Sequence, residues 1–538
     1  KQNDSADYFL GGRDATWLAI GASIFASNIG SEHLIGLAGA GASSGMAMAH
    51  WEIQGWMILI LGWVFVPFYS RSMVYTMPEF LERRYNPQSR TILSVISLVS
   101  YVLTKVAVTV YAGGLVFQQV FGIKELWGID FFWIAAIGLV VLTALYTIFG
   151  GMKSVLYTSV LQTPILLLGS LIILVLGFKE LGGWDEMMRV CGAVTVNDYG
   201  DTMTNLIRSN DDANFPWLGA LIGSAIIGFW YWCTDQFIVQ RVLSGKNEKE
   251  ARRGTIFGAY LKLLPVFLFL IPGMIAFALH QKYIGAGGEG FLPMLANGTA
   301  NADAAFPTLV AKLLPAGVKG LVVCGILAAL MSSLASLFNS SAMLFTIDFY
   351  KRFRPETPEK KLVGIGQIAT VVIVILGILW IPIMRSVGDV LYTYLQDVQS
   401  VLAPGIAAAF LLGICWKRTS AQGGMWGLIA GMIIGLTRLG AKVYYSNAGE
   451  VADSTFKYLF YDMNWLFFCG WMFLFCIIVV IVVSLATEAP TAEKIQGLVF
   501  GTATKEQKAA TRASWDHWDI IHTVIILAIT GAFYWYFW

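Results

Sequence analysis

The sequence predicts an all-α protein that crosses a membrane many times, and three observations support this fold class. Of the 538 residues, 57% are hydrophobic and only 13% are charged, whereas soluble domains carry roughly 25% charged residues. The mean hydropathy is +0.66. Apolar runs of about 20 residues, the length of a membrane-spanning helix, recur from end to end. We therefore expect one polytopic domain over residues 1–538, which excludes soluble enzymes and nucleic-acid-binding proteins.

Thirteen apolar windows are predicted as membrane spans, and they are named below by their order in the chain. Their ranges are 15–39, 45–69, 91–120, 129–149, 154–178, 216–240, 255–280, 306–349, 362–384, 387–415, 422–445, 463–486 and 518–538. The run 306–349 is too long for one straight crossing of about 30 Å. We interpret it as a span with a helical extension into the loops.

Basic residues collect in alternate loops and predict the orientation. Examples are Arg83 and Arg84 after the second span and Arg252 and Arg253 after the sixth. Loops rich in Lys and Arg lie on the cytoplasmic side. This rule places residues 1–14 inside and Trp538 outside, and one further helix before the first span would place both ends outside.

The first span holds the densest group of polar residues, Asn28 to His33, with Gly30 and Glu32 among them. Ionisable and amide side chains inside a span are costly and mark functional sites by default. The group predicts a broken helix beside a binding cavity, because freed backbone groups are tolerated only there. The alternative is a cluster of interhelical hydrogen bonds.

Polar residues also interrupt the second, sixth and seventh spans. Glu52 suits a binding cavity or an interfacial carboxylate, and Lys262 suits the cavity or a side chain reaching back to the cytoplasmic surface. In the sixth span, Gly223 and Gly228 are expected to loosen the helix just before the aromatic triplet 230–232. Such rings either pack the bundle or cover the apolar face of a sugar.

Asp235 follows this triplet by one turn. It suits the cavity or an ion pair with a nearby cation such as Arg241.

Hydroxyls in the eighth span indicate an ion site. Ser332 and Ser333 are adjacent; each can bond to its own helix, or both can join carbonyls freed by a broken helix in a hard-oxygen cage for a small cation.

The two broken helices are expected in the first and sixth spans, which are five spans apart. Interrupted segments at matching places in two halves indicate a transporter built from inverted repeats, with its site at the midplane. The predicted repeats are residues 15–178 and 216–415, and residues 422–538 add further C-terminal helices.

Several long segments, in order along the whole chain, resemble the sodium/glucose cotransporter branch of the solute:sodium symporter family. They are ASNIGSEHLIGLAGAGASSG at 26–45, TMPEFLERRY at 76–85, WYWCTDQFIVQRVLSGKN at 230–247, GAYLKLLP at 258–265, LMSSLASLFNSSAMLFTIDFY at 330–350 and APGIAAAFLLGICWKR at 403–418. The resemblance implies a LeuT-type fold of two inverted five-helix repeats, and sodium as the coupled ion.

The resemblance also implies the site residues. The family's substrate contacts fall on Asn28, His33, Glu52, Tyr231, Trp232, Lys262 and Gln396. The cytoplasmic gate falls on Tyr231 and the external gate on Tyr392. The family's sodium site falls on the carbonyls of Ala26, Ile29 and Ala329 and on the hydroxyls of Ser332 and Ser333.

Three positions depart from the family pattern. Gly228 replaces a Thr or Asn that reaches the substrate in many sugar-transporting members, so one hydroxyl contact is expected to be lost. Ser159 stands where the family has a carboxylate, and Ala335 stands where members that use two sodium ions carry a hydroxyl. One Na⁺ per substrate is therefore expected.

The expected function is sodium-driven import of a monosaccharide such as glucose or galactose across the cell membrane, without enzymatic chemistry. A myo-inositol symporter is the first alternative. A sodium-dependent sugar sensor or channel that does not transport is the second.

Overall fold

The computed structural model describes residues 5–30, 32–295, 298–387, 391–447 and 452–538. Across these ranges the chain is almost entirely helical, and its two named strands form one short antiparallel pair, Glu125–Leu126 with Ile129–Asp130. Ten of the described helices are long and apolar enough to cross a bilayer. The structure therefore confirms the all-α, multi-span fold class.

The first half of the chain begins with Ser5–Leu10 and the 3₁₀ turn Gly11–Arg13. Its further helical segments are Trp17–Asn28, Glu32–Leu37, Ala38–Ser43, Gly45–Met48, Ala49–Glu52, Gly55–Ile60, Leu61–Phe65, Val66–Ser72, Met77–Arg84, Pro87–Ser100, Tyr101–Val106, Ala107–Phe121, Phe131–Leu181 and Trp184–Gly192.

The second half has the same composition of long and interrupted helices. Its segments are Trp217–Gly228, Phe229–Thr234, Gln236–Leu243, Glu248–Lys262, Val266–Leu270, Ile271–Gly285, Ala302–Ala304, Ala305–Leu313, Ala316–Met343, Leu344–Tyr350, Lys351–Phe353, Glu359–Val387, Leu391–Cys415, Ala421–Asn447, Thr455–Lys457, Tyr458–Asp462, Trp465–Ala486, Ala492–Ile495, Lys505–Ala513 and His517–Tyr536.

The fourth and fifth predicted spans form one helical run, Phe131–Leu181, that Gly151 divides. A straight helix of 51 residues would be about 76 Å long, far more than a bilayer is thick. Gly151 has φ +55°, and a Cβ at this position would lie 2.4 Å from the carbonyl oxygen of Tyr8. Only glycine therefore fits both the turn and the N-terminal segment packed against it.

Two sequence-based expectations about breaks differ from the structure in detail. The sixth span changes from α-helical to π-helical turns after Gly228, just before the aromatic triplet, but the helix is interrupted only later, at Asp235. The run 306–349 is two helices, because Leu314 and Pro315 adopt extended backbone between Leu313 and Ala316. Proline favours an extended conformation of the residue before it, which accounts for this second break.

Both halves of the first span pack closely on the seventh span through glycines. A Cβ at Gly41 would lie 2.2 Å from the carbonyl oxygen of Leu270, and a Cβ at Gly273 would lie 1.9 Å from that of Ala38. On the other side of the break, a Cβ at Gly21 would lie 2.8 Å from the carbonyl oxygen of Gly254. Small residues allow membrane helices to approach in this way, and the contacts hold the broken segment between two fixed ends.

Candidate functional site

Four spans are interrupted around one cavity. The first span breaks after Asn28, the second at Ile53 and Gln54, the sixth at Asp235 and the seventh between Lys262 and Val266. Each interruption frees backbone groups and directs nearby side chains inward. Irregular backbone at membrane depth is tolerated where it is buried in protein or lines a cavity.

The break in the first span follows from its local sequence. Ile29 adopts extended backbone, with φ −76° and ψ 103°, and ends the helix Trp17–Asn28. The chain becomes helical again at Glu32, and the amides of His33 and Leu34 donate to the carbonyl of Gly30. The predicted interruption at this place is confirmed.

The break in the sixth span is built by Asp235. The π-helical turn Phe229–Thr234 ends at this residue, whose backbone is extended. Its carboxylate then accepts a hydrogen bond from the amide of Phe237 at 3.2 Å and caps the helix Gln236–Leu243. Aspartate is a favoured residue at this position of a helix.

The empty space between these breaks measures about 490 Å³, including the part that is open to solvent. It brings together six of the seven residues to which the resemblance assigned substrate contacts. The lining residues are Asn28, Glu32, His33, Trp51, Glu52, Gln54, Ile227, Gly228, Tyr231, Trp232, Lys262 and Gln399.

A buried network of charged and polar groups crosses the cavity. The Nζ of Lys262 donates to Glu52 Oε2 at 2.6 Å and to Asn28 Oδ1 at 3.0 Å. His33 Nε2 lies 3.2 Å from the same carboxylate oxygen, and Asn28 Nδ2 donates to the hydroxyl of Tyr231 at 3.2 Å. Glu52 and Lys262 are thus buried in the wall of the cavity, and neither is exposed at the surface of the protein.

Aromatic rings cover the network on one side. The Nζ of Lys262 lies 5.4 Å from the ring centroid of Trp232. Tyr231 and Trp232 meet edge to face, with ring centroids 4.9 Å apart. The cavity therefore combines an apolar surface with charged hydrogen-bonding groups.

Two buried donors or acceptors in the cavity wall lack partners among the described residues. They are Nδ1 of His33 and Nε1 of Trp51. A buried polar atom without a partner costs free energy, and both residues line the cavity.

Oxygen atoms cluster where the break of the first span meets the eighth span. The hydroxyl of Ser333 lies 3.1 Å from the carbonyl oxygens of both Ser27 and Ile29. The hydroxyl of Ser332 lies 3.4 Å from that of Ser159, in the fifth span. Carbonyl and hydroxyl oxygens are ligands that suit a small hard cation.

The other residues predicted for these sites are placed as follows. Ala26 and Ala329 are buried on the helices that meet at this oxygen cluster. Gln396 and Tyr392 belong to the helix Leu391–Cys415, but their side chains lie outside the part of the chain that the structure describes.

A buried ion pair lies beside the network of Lys262, Glu52 and Asn28. Lys105 Nζ donates to Asp235 Oδ2 at 2.5 Å, and Tyr101 also donates to this carboxylate. The same ammonium group lies 4.9 Å from the ring centroid of Tyr231. Of the two roles expected for Asp235, the structure shows the ion pair with a nearby cation, and that cation is Lys105 of the third span rather than Arg241.

Sequence reasoning missed Gln54, Trp51, Gln399 and Lys105. Lys105 and Gln54 carry the signal that identified Glu52, a polar side chain within an apolar run. Trp51 has no such signal, because a tryptophan in a span usually packs the bundle or lies in the aromatic belt.

Comparison with known proteins gives the family. The profile of the Sodium:solute symporter family matches residues 8–431. The chain belongs to this family. Sodium is therefore its coupling ion, and this symporter is not an enzyme.

Two curated relatives of this symporter are cotransporters of one polyol. Human sodium/myo-inositol cotransporter 2 is 36% identical over 515 residues, which cover 93% of this chain and 75% of the relative. The sodium/myo-inositol cotransporter of Bos taurus is 38% identical over 516 residues, with 92% and 71% covered.

Solved structures establish the fold of this symporter. A Na⁺-coupled sialic acid symporter in its substrate-bound, outward-open state matches with a TM-score of 0.72 at 22% identity, over 91% of this chain and 94% of that one. MhsT in complex with L-phenylalanine matches with a TM-score of 0.52 at 13% identity, over 88% and 99%. Both have the LeuT-type fold, which confirms that prediction; the count of thirteen spans and the repeat boundaries stay predictions.

Proposed function

We propose that this symporter imports myo-inositol, or an uncharged polyol of similar size, together with Na⁺ across the cell membrane. The sequence segments alone favoured glucose or galactose and kept inositol as the first alternative. The relatives reverse this order, because both cotransporters named above act on myo-inositol. Membership of a symporter family supports substrate transport and argues against the alternative of a sodium-dependent sensor that does not transport.

The electrostatics of the cavity support an uncharged ligand. Two carboxylates, Glu32 and Glu52, line it, while Lys262 is already bonded to Glu52. An anionic substrate would be repelled by the Glu32 carboxylate, and it would compete with the Glu52 carboxylate for Lys262. A polyol can instead donate to carboxylate and amide oxygens and accept from Lys262, His33 and Trp51 through different hydroxyls.

The proposed roles follow the resemblance and the positions in the cavity. Hydroxyls of the substrate bond to the polar groups, and a ring face of the substrate lies against the aromatic pair. The proposed contacts are Asn28, His33, Glu52, Tyr231, Trp232, Lys262 and Gln396, with Tyr231 as the inner gate and Tyr392 as the outer gate. The proposed sodium ligands are Ala26, Ile29, Ala329, Ser332 and Ser333.

The observation that carries the proposal is the position of two adjacent residues. The side chain of Asn28 bonds within the substrate cavity, and the carbonyl of Ile29 faces Ser333 in the oxygen cluster. An ion that orders this short segment therefore also orders a substrate contact. Such coupling is reciprocal: each ligand raises the affinity for the other by the same factor.

The inward movement of Na⁺ supplies the driving force. A potential of 100 mV contributes about 2.3 kcal/mol per positive charge, in addition to the concentration gradient. Ser159 brings a hydroxyl rather than a carboxylate to the neighbourhood of Ser332, at 3.4 Å. We therefore propose one Na⁺ per substrate.

The direct test is uptake into proteoliposomes. Labelled myo-inositol, glucose and galactose are each supplied with an inward Na⁺ gradient and then with choline in place of Na⁺. We expect sodium-dependent uptake of myo-inositol that is stronger than that of either sugar. Preferred uptake of glucose would restore the monosaccharide alternative, and sodium current without uptake of any label would favour the sensor.

A serine pair provides the matched variants. Ser333→Ala removes the hydroxyl at the oxygen cluster and is expected to abolish sodium dependence. Ser341→Ala removes a buried hydroxyl of the same helix that has no partner among the described residues, so uptake should be unchanged. Equal effects of both variants would contradict the sodium site.

A further inference from the structure

The side chain of Gln54 occupies the space that a side chain at position 228 would need. A Cβ at Gly228 would lie 2.5 Å from Gln54 Oε1, 2.9 Å from its Cδ and 3.0 Å from its Nε2. Carbon atoms do not approach an amide this closely. The amide of Gln54, at the break of the second span, can therefore hold its position only while residue 228 of the sixth span has no side chain.

One end of the Gln54 amide is fixed by the sixth span. Its Nε2 donates to the carbonyl oxygen of Ser224 at 2.8 Å, one helical turn before Gly228. Since a carbonyl can only accept, this bond assigns the NH₂ group to that side and Oε1 to the other.

The other end of the amide has no partner among the described residues. Gln54 is 2% exposed and lines the cavity with Gly228 and Glu52. Its Oε1 lies against Gly228, and no donor among the described residues bonds to it. The amide is thus held at one end and has an unused acceptor at the other, in the wall of the cavity.

We propose that Gln54 Oε1 accepts a hydrogen bond from one hydroxyl of the substrate and that Gly228 is the residue that leaves it room to do so. This inference rests on the proposed transport of an uncharged polyol. A site that accepts from one particular hydroxyl discriminates against an analogue without it, because the buried acceptor is then unpaired. Gln54 is thus a specificity residue, and Gly228 positions it.

A double-mutant cycle tests the dependence. Gln54→Ala removes the acceptor, and Gly228→Ala places a methyl group where the amide now lies. Each variant is expected to raise the KM for the substrate about three- to tenfold, the effect of one lost hydrogen bond. The double variant should be no worse than Gln54→Ala, because the same contact is lost once. Effects that multiply would overturn the proposal.

A panel of monodeoxy analogues separates a contact from a merely structural role. The wild-type protein should transport one of the deoxy analogues less well than the full substrate. Gln54→Met should transport that analogue and the full substrate equally well, since methionine keeps the volume of the side chain without the acceptor. Equal losses for every analogue, or unchanged discrimination, would overturn the proposal. Gln367→Met is the matched control, because Gln367 also donates its amide to a backbone carbonyl, that of Ile148, and does not line the cavity.

The choice of substrate keeps this inference distinct from the proposed function. Uptake of both myo-inositol and glucose is measured first with the wild-type protein, and the panel uses the deoxy forms of whichever is transported. Uptake of glucose but not of myo-inositol would overturn the proposed inositol selectivity. The Gln54 contact would then be tested with the deoxy analogues of glucose. Sodium-dependent uptake of neither overturns both.

Discussion

The ammonium group of Lys262 is shared by two acceptors in the cavity wall. It bonds to Glu52 and Asn28 at 2.6 and 3.0 Å, and both carboxylate and ammonium are nearly inaccessible to solvent. Removing one partner of a buried ion pair is strongly destabilising, by about 3–5 kcal/mol in soluble proteins, because the other charge stays buried and unpaired. The pair therefore maintains the shape of the cavity as well as its polarity.

Lys262→Met should lower substrate uptake by about tenfold or more, as expected for the loss of a charged hydrogen bond worth roughly 1.5–3 kcal/mol. The double variant Lys262→Met with Glu52→Gln should regain thermal stability more than uptake. It no longer has an unpaired buried charge, but it still lacks the contact of Lys262 with the substrate. Thermal unfolding and initial uptake rates measure the two effects. Lys246→Met, at an exposed loop position, is the control. Unchanged uptake in Lys262→Met would contradict its place in the site.

At the scale of single residues, the cost of polar groups in apolar spans identifies much of the cavity from the sequence. Asn28, His33 and Glu52 were found in this way. The rule does not tell which partner a group finds: Arg241 was the example of a nearby cation for Asp235, whereas Lys105 bonds to it. Partners come from other spans, and a single sequence carries no direct signal of their spatial proximity.

At the scale of elements, the ion pair between Lys105 and Asp235 joins the third span to the break of the sixth. The ammonium group is also surrounded by the rings of Tyr101, Tyr231 and Phe237, with centroid distances of 4.7–4.9 Å. Rings attract a cation through their negative faces. The pair thus fixes the interrupted helix next to Tyr231, the proposed inner gate.

Lys105→Met and Asp235→Asn should each destabilise the protein strongly, whereas the double variant should be less destabilised than their sum. The reason is that each single change leaves one buried charge unpaired. Thermal unfolding of all four proteins in one detergent gives the coupling. Additive effects would mean that the pair contributes nothing as a pair.

Ser159→Asp should change the number of coupled ions. This substitution places a carboxylate beside Ser332, where the wild-type hydroxyls are 3.4 Å apart, and a negative charge favours a second cation. The dependence of uptake on Na⁺ concentration should change from hyperbolic to sigmoidal. Ser159→Ala should keep the hyperbolic curve, and a sigmoidal wild-type curve would contradict the single-ion proposal.

The positions of breaks were only partly predictable at this scale. The polar run around Gly30 marked the first break, because several costly groups coincide there. In the sixth span Gly223 and Gly228 accommodate Leu466 and Gln54. The helix changes to π-helical turns after Gly228, whereas the break itself comes at Asp235, whose carboxylate caps the next helix. A glycine permits either a bend or a close contact, and only the neighbouring element decides which.

For the molecule as a whole, composition and the recurrence of apolar runs were sufficient for the fold class. The count of spans was harder, because Phe131–Leu181 contains two predicted spans and the first span is divided into short halves. Its inner half, Trp17–Asn28, is too short by itself to meet the length criterion for a span. A rule based on the length of a single helix misses such a span, because two short consecutive segments together make the crossing.

Sodium should raise the affinity for the substrate, and the substrate should raise the affinity for sodium by the same factor. This follows from the shared segment at Asn28 and Ile29 and from linkage. Equilibrium binding of labelled substrate at several Na⁺ concentrations, and the reverse titration, give both factors. A factor of one would show that the two sites are independent. Ser333→Ala should bring the factor close to one without abolishing substrate binding at high concentration.

The close approach of Gly228 to Gln54 has a consequence for how this protein can evolve. Any residue larger than glycine at position 228 would have to displace the amide of Gln54, so the proposed contact of Gln54 with the substrate is lost while the glutamine is present. A smaller residue at position 54 removes that obstacle. We expect the order of substitution to matter: lineages that acquire a side chain at position 228 should first have shortened position 54. Ancestral states of the two positions should then change in that sequence and rarely in reverse.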